Sequence, residues 1–139
     1  MTEFSLPLRV YIEDTDAGGI VYYVNYLKYF ERARTEFMRS RGFSKAAFFD
    51  EQSMFVVSEV AVRYRRPAQL DDPLRVTACV VSATGATVVF EQKIYRSTEL
   101  LVEGMVTIAL VDRHSGRPRR LPSVLQDSLR CGSVLNSEE

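Results

Sequence analysis

The sequence predicts an α+β fold in which one long helix packs against a five-stranded antiparallel sheet. Three observations lead there: a single stretch of helical period, several stretches that alternate apolar and polar residues, and short turns joining the later stretches. The first strand spans Leu8 to Glu13, with Val10 and Ile12 on one face and Arg9, Tyr11 and Glu13 on the other. From Asn25 the period changes. Leu27, Phe30, Ala33 or Arg34, Phe37 and Met38 recur at helical spacing, while Lys28, Arg32, Thr35, Glu36 and Arg39 face away. Gly42 supplies the C-terminal stop. Ser44 caps a short second helix reaching about Gln52, with Ala46, Ala47, Phe48 and Phe49 on its apolar side.

Four strands follow, Phe55 to Tyr64, Leu74 to Ser82, Thr87 to Tyr95 and Leu101 to Val111, rich in Val, Ile, Phe, Tyr and Thr. The breaks between the last three are Thr84-Gly85 and Ser97-Thr98-Glu99, and Asp71-Asp72-Pro73 precedes them. Consecutive strands with short connections predict an antiparallel meander. Within Thr87 to Tyr95, Val88, Phe90, Gln92 and Ile94 oppose Val89, Glu91, Lys93 and Tyr95, so one face packs and the other is mixed. A single helix leaves the outer face and an edge strand uncovered. The sequence therefore predicts a homo-oligomer in which a second copy covers them.

The 139 residues suit one domain, taken as residues 1–139 with a polar tail from about residue 132. Eighteen basic residues cancel eighteen acidic ones, so no global field recruits nucleic acid or an anionic membrane. No apolar run approaches the length of a membrane span. Cys79 and Cys131 are too few for a disulfide framework, and Cys79 sits in an apolar alternating run that suits a buried free thiol. With no signal-like segment between Met1 and Pro7, the reading is cytoplasmic.

The chemistry concentrates between Glu13 and Tyr23, where Glu13, Asp14 and Asp16 precede a glycine turn and then the long helix. An EF-hand counted from Asp14 would need an oxygen ligand at Gly18 and a glutamate at Asn25, which excludes that calcium site. A phosphotransferase of the Asp-x-Asp kind would follow a fully buried parallel strand, and this strand alternates. His114 is the only histidine and lies in a polar turn, so nucleophilic triads and zinc sites lack their parts. No dinucleotide or Walker loop occurs, and no cofactor is implied. What is left is a carboxylate acting on a carbonyl, either as a general base on water or as a nucleophile. The Tyr23 and Val24 amides at the helix start are the donors placed to receive the oxyanion.

The run Asp14-Thr-Asp-Ala-Gly-Gly-Ile-Val-Tyr22, then Asn25-Tyr26, then Phe30-Glu-Arg-Ala-Arg-Thr-Glu36, resembles the hotdog-fold acyl-CoA thioesterases of the 4-hydroxybenzoyl-CoA thioesterase type. Among these it is most similar to the Tol-Pal-associated acyl-CoA thioesterase branch. The resemblance extends from residue 8 to about 122, including Tyr64-Arg-Arg-Pro-Ala-Gln-Leu-Asp-Asp72 and Arg120-Leu-Pro122. It implies a hotdog fold, sheet-joined dimers that often pair into tetramers, an active site at the dimer interface, and an acyl-CoA substrate, with acyl carrier protein as a second candidate carrier. Asp16 matches the catalytic carboxylate and the Tyr23 N–H the group that polarises the thioester carbonyl. Glu31 matches an acidic position that meets the acyl group; it is also spaced to pair with Arg34 or Thr35.

Two positions depart from the pattern. The Tol-Pal-associated branch usually carries histidine where this chain has Tyr23, and the basic run that holds the CoA phosphates in the hydroxybenzoyl enzyme is here Ser82-Ala-Thr-Gly-Ala-Thr87. Arg63, Arg65 and Arg66 are the candidates for the phosphates, since guanidinium forks suit phosphate oxygens. Tyr22 is a candidate for the acyl tunnel, Val24 and Asn25 complete the substrate-binding set at the helix start, and Ser58 and Glu59 are placed to reach across the interface. The competing readings are a hotdog scaffold without turnover that holds acyl carrier protein or an envelope-biogenesis partner, and an enoyl-thioester hydratase, which wants a histidine.

Overall fold

A computed structural model describes residues 4–43 and 51–129. Its elements are β1 (Phe4–Arg9), a 3-10 turn (Ile12–Asp14), α1 (Asn25–Ser40), β2 (Ser53–Tyr64), β3 (Pro73–Thr84), β4 (Thr87–Arg96) and β5 (Glu99–Asp112), and residues 123–129 are helical. The five strands form one antiparallel sheet in the order β1-β3-β4-β5-β2, with α1 against one face. This is the expected α+β architecture. The short helix expected over 44–52 and the polar tail from about 132 fall largely or wholly outside the described residues.

The first strand lies earlier in the chain than its alternation suggested. β1 pairs with β3 through Leu6↔Val76 and Leu8↔Leu74, and Pro7, which has no N–H to offer, is tolerated because β1 is at the sheet edge. The chain leaves the sheet at Val10, and Ile12 is 76% exposed in the turn that follows. The meander is also only partial. β3, β4 and β5 are sequential neighbours, but β2 pairs with β5 at the opposite edge. Residues 65–72 then cross the end of the sheet, bonding in turn to Leu101, Val21, Gly19 and Val10, before entering β3.

The face of α1 toward the sheet is made by Tyr26, Tyr29, Phe30, Ala33, Phe37 and Met38, all buried. Leu27, expected in that stripe, is 37% exposed, because the two tyrosines one position to either side of the Leu27–Lys28 pair take the core-facing angle. The helix ends in a Schellman arrangement, with Gly42 N–H on Arg39 O, Phe43 N–H on Met38 O, and Gly42 at φ +87°. On β4 the expected inward residues Val88, Phe90, Gln92 and Ile94 are all buried. Phe90 packs edge-on against Phe37 with centroids 5.8 Å apart. Cys79 is buried, as expected.

Candidate active site

The loop that carries Asp16 is a small hairpin. Thr15 and Val21 pair as an isolated bridge, the Asp16 N–H donates to Ile20 O at 2.9 Å, and the Gly19 N–H donates to Asp16 O at 3.1 Å. Gly19 closes the turn at φ +82°, a conformation that side-chain-bearing residues rarely adopt. The Asp16 carboxylate accepts the Gly18 N–H at 2.8 Å, so the turn itself orients the acid. In the single protomer Asp16 is exposed.

The loop is tied to the helix start through Asp14. That residue is buried, its carboxylate accepting the Tyr11 N–H at 2.9 Å. Its carbonyl accepts the Tyr22 N–H at 3.0 Å and the Asn25 side-chain amide at 2.8 Å. The next amides form tight turn bonds: Asn25 N–H to Tyr22 O, Tyr26 N–H to Tyr23 O and Leu27 N–H to Val24 O. The Tyr23 and Val24 N–H groups donate to no acceptor among the described residues. Two unengaged amides at the positive end of α1 form a place for a developing anion.

Five tyrosines surround this point. The Tyr22 ring lies tilted against Tyr23 at 5.1 Å, Tyr23 meets Tyr64 edge-on at 6.1 Å, and Tyr64 lies 5.6 Å from Tyr26. The Tyr26 hydroxyl accepts the Ala68 N–H at 3.0 Å, locking the 65–72 crossing onto the helix. Behind it lies the buried Tyr29 hydroxyl; burial, reinforced by the nearby Asp14 carboxylate, pushes its pKa up.

Tyr23, Tyr26, Tyr64, Arg65 and Arg66 line a pocket of about 210 Å³. The predicted basic trio is thus divided. Arg65 and Arg66 stand at the tyrosine pocket, paired with Glu103 and Glu99, while Arg63 lies in a separate depression with Glu91, Lys93 and Met105. One position along a strand reverses the face, which separates Arg63 from the pocket side that Tyr64 shares with Tyr23.

Val24 and Glu31 line a groove of about 290 Å³ between α1 and the edge strand β2, and Glu31 and Arg34 continue into a larger one of about 660 Å³ walled by Met38, Phe55 and Ile108. Glu31 is exposed, and it makes no ion pair with Arg34 among the described residues. Burial holds Arg34 below its ordinary pKa, with Glu31 opposing that shift. Ser58 and Glu59 are mid-strand, not at the strand start. Ser58 forms a β-bulge and donates to Thr107 O at 3.3 Å, and Glu59 is exposed; neither lines these grooves.

Asn25, expected among the substrate-binding residues, is 9% exposed and spends a side-chain N–H on Asp14. Sequence reading had given Tyr64 and Asp14 no place in the site. The position of Tyr64 beside Arg65-Arg66 was the available signal for the first; for Asp14 the carboxylate tie is local, to Tyr11, whereas the Asn25 bond to its carbonyl comes from eleven residues away.

Residues 10–129 match the thioesterase-like superfamily. The chain is 46% identical over 120 residues to acyl-CoA thioesterase YbgC of Haemophilus influenzae, an alignment spanning 86% of this chain and 88% of that one. It is 44% identical over 122 residues to acyl-CoA thioester hydrolase YbgC of Escherichia coli O6:H1, spanning 87% and 91%. The crystal structure of a probable thioesterase from Bartonella henselae superposes with a TM-score of 0.79 at 38% identity, over 87% of this chain and 98% of that one. A Staphylococcus aureus DHNA-CoA thioesterase, at 22% identity, shares the fold with a TM-score of 0.90 over 99% and 95%. With a hotdog-type helix-and-sheet architecture and a family match across nearly its whole length, this chain belongs to the thioesterase-like superfamily.

Proposed function

We propose that this chain hydrolyses acyl-CoA thioesters to the free acid and CoA. The observation that carries the reading is the pair of unengaged amides, Tyr23 and Val24, at the start of a helix tied by hydrogen bonds to the loop that orients Asp16. The relatives' thioesterase names support the same reaction. The thioester oxygen would sit at the two amides, where the helix dipole and two N–H groups stabilise the negative charge of the tetrahedral intermediate. Asp16 either takes a proton from the attacking water or attacks the carbonyl itself to give an anhydride that water then opens. In both routes the C–S bond breaks and CoA leaves as the thiolate; the new oxygen on the acyl carbon comes from water in the first route, and from the Asp16 carboxylate in the second when water opens the anhydride at the aspartyl carbon.

Arg65 and Arg66 fit the CoA phosphates, with Tyr22 and Glu31 toward the acyl group. An exposed Asp16 and the unpaired edge of β2, flanked by exposed Leu27, Val57 and Val60, favour a second copy that covers this side, and a dimer of dimers is the assembly we assign. We place the chain in the cytoplasm, where Cys79 stays a thiol, and within the Tol-Pal-associated branch; acyl carrier protein is an alternative carrier of the acyl group. The scaffold reading keeps one argument, the Tyr23 side chain where that branch has histidine.

A panel of short-chain, long-chain and aromatic acyl-CoAs separates the two readings. The thioesterase hydrolyses at least one of them, and Asp16→Asn lowers that turnover about a hundredfold or more. Hydrolysis of none above background, or an Asp16→Asn variant as fast as wild type, removes the proposal.

A further inference from the structure

We infer that Asn25 is a positioning residue, setting the distance between Asp16 and the two amides by gripping the Asp14 carbonyl rather than by touching substrate. This rests on the thioesterase reading above. Asn25 is the first residue of α1, one past the N-cap position at which an asparagine side chain ordinarily serves the helix's own amides. Here no side-chain cap is present at the helix start, and the Asn25 amide reaches back eleven residues to Asp14 O at 2.8 Å.

That carbonyl is shared. It also accepts the Tyr22 N–H at 3.0 Å, so its two acceptor directions hold the strand that enters the helix and the helix itself. Asp14 is anchored in its turn by its buried carboxylate on the Tyr11 N–H. The acid lies two residues after this anchor, and the Tyr23 and Val24 amides lie immediately before Asn25. Both halves of the site therefore hang from one oxygen atom. The side chain of Asn25 is buried, leaving no exposed amide for a substrate. Losing its donor frees the helix start from the loop without removing any group that meets the thioester, and misplacing reacting groups lowers the rate of the bound complex rather than its formation.

At the far end of the same helix the Ser40 hydroxyl donates to Phe37 O at 2.6 Å. It provides the control. Ser40→Ala removes a side-chain to main-chain bond from α1 and leaves the Asn25–Asp14 tie intact.

The test measures kcat and KM on the best acyl-CoA of the panel for wild type, Asn25→Ala, the isosteric Asn25→Asp and Ser40→Ala, together with hydrogen exchange at the Tyr22 amide. Expected are a kcat about tenfold or more lower in both Asn25 variants, KM within about twofold of wild type, faster Tyr22 exchange, and a Ser40→Ala enzyme like wild type in each respect. Raised KM at unchanged kcat would make Asn25 a substrate contact and overturn the inference. So would unchanged kinetics, or a failure of both Asn25 variants to fold, which would make the tie structural alone. A wild-type protein that hydrolyses nothing sinks the thioesterase reading and this role with it; an active wild type with unimpaired Asn25 variants sinks only this role.

Discussion

The Gln92 side chain donates to the main-chain carbonyl of Phe30 at 3.0 Å, fastening the middle of α1 to the central part of the sheet from a fully buried position. The same nitrogen reaches Thr77 O at 3.1 Å, and the Gln92 oxygen accepts from the Arg34 guanidinium at 2.9 Å. Where this side chain fills the β3–β4 ladder, the Lys93 N–H turns to the Thr77 hydroxyl at 2.9 Å. A polar residue in an otherwise apolar row thus satisfies groups from the helix and from the neighbouring strand β3.

Replacing Gln92 by leucine preserves bulk but strands the Arg34 guanidinium. Phe30 O keeps its helical partner, so most of the cost falls on the desolvated cation. We expect a loss of about 2–4 kcal/mol, read from the urea midpoint. An unchanged midpoint would show that the guanidinium finds water instead.

Gly104 of β5 lies against the Phe30 side chain of the helix. A Cβ there would lie 3.0 Å from the Phe30 ring and 3.1 Å from Ala61 O. Gly104→Ala should therefore cost about 1–3 kcal/mol by overpacking, with chemical denaturation as the measurement.

Alkaline pH tests the buried phenols. Burial raises the pKa values of Tyr26 and Tyr29 above the ordinary 10.0, so the folded state prefers them protonated. Their contribution is complete below that value. As pH rises past it the unfolded chain ionises first, and stability falls until the folded phenols themselves titrate. Thermal unfolding followed from about pH 8 to about pH 11 should show the decline only in the upper part of that range, and Tyr29→Phe should make it shallower. A decline of equal slope in that variant would count against the assignment.

The two arginines at the tyrosine pocket should separate from the third in kinetics. Arg65→Ser and Arg66→Ser should each raise KM for acyl-CoA by roughly tenfold, the size of a charged hydrogen bond worth about 1.5 kcal/mol, with kcat little changed. Arg63→Ser, in a different depression, should leave KM near wild type. An Arg63 effect equal to the other two would place the phosphates elsewhere.

The sequence by itself determined the features that depend on local period and local chemistry. The alternation of β4 names its buried row down to Gln92, and Gly42 marks the helix end because only a left-handed residue completes that cap. The segment from Asp14 to Glu36 identified the family, since a whole run of residue types is more specific than any one acid.

Only the tertiary structure decided which strands are neighbours and which polar groups are spent. Alternation along Leu8–Glu13 resembles a strand, yet pairing with β3 starts at Phe4 and releases the chain at Val10. Nothing in β2 announces that it crosses to β5, because either neighbour satisfies the same apolar face. Arg63, Arg65 and Arg66 look like one patch in sequence and are divided by the strand's two-residue period and the turn after it. Asn25 looks available for ligand until the Asp14 carbonyl arrives. Such assignments depend on partners far away in the chain, and a pattern of residue types records which face is apolar without recording what comes to meet it.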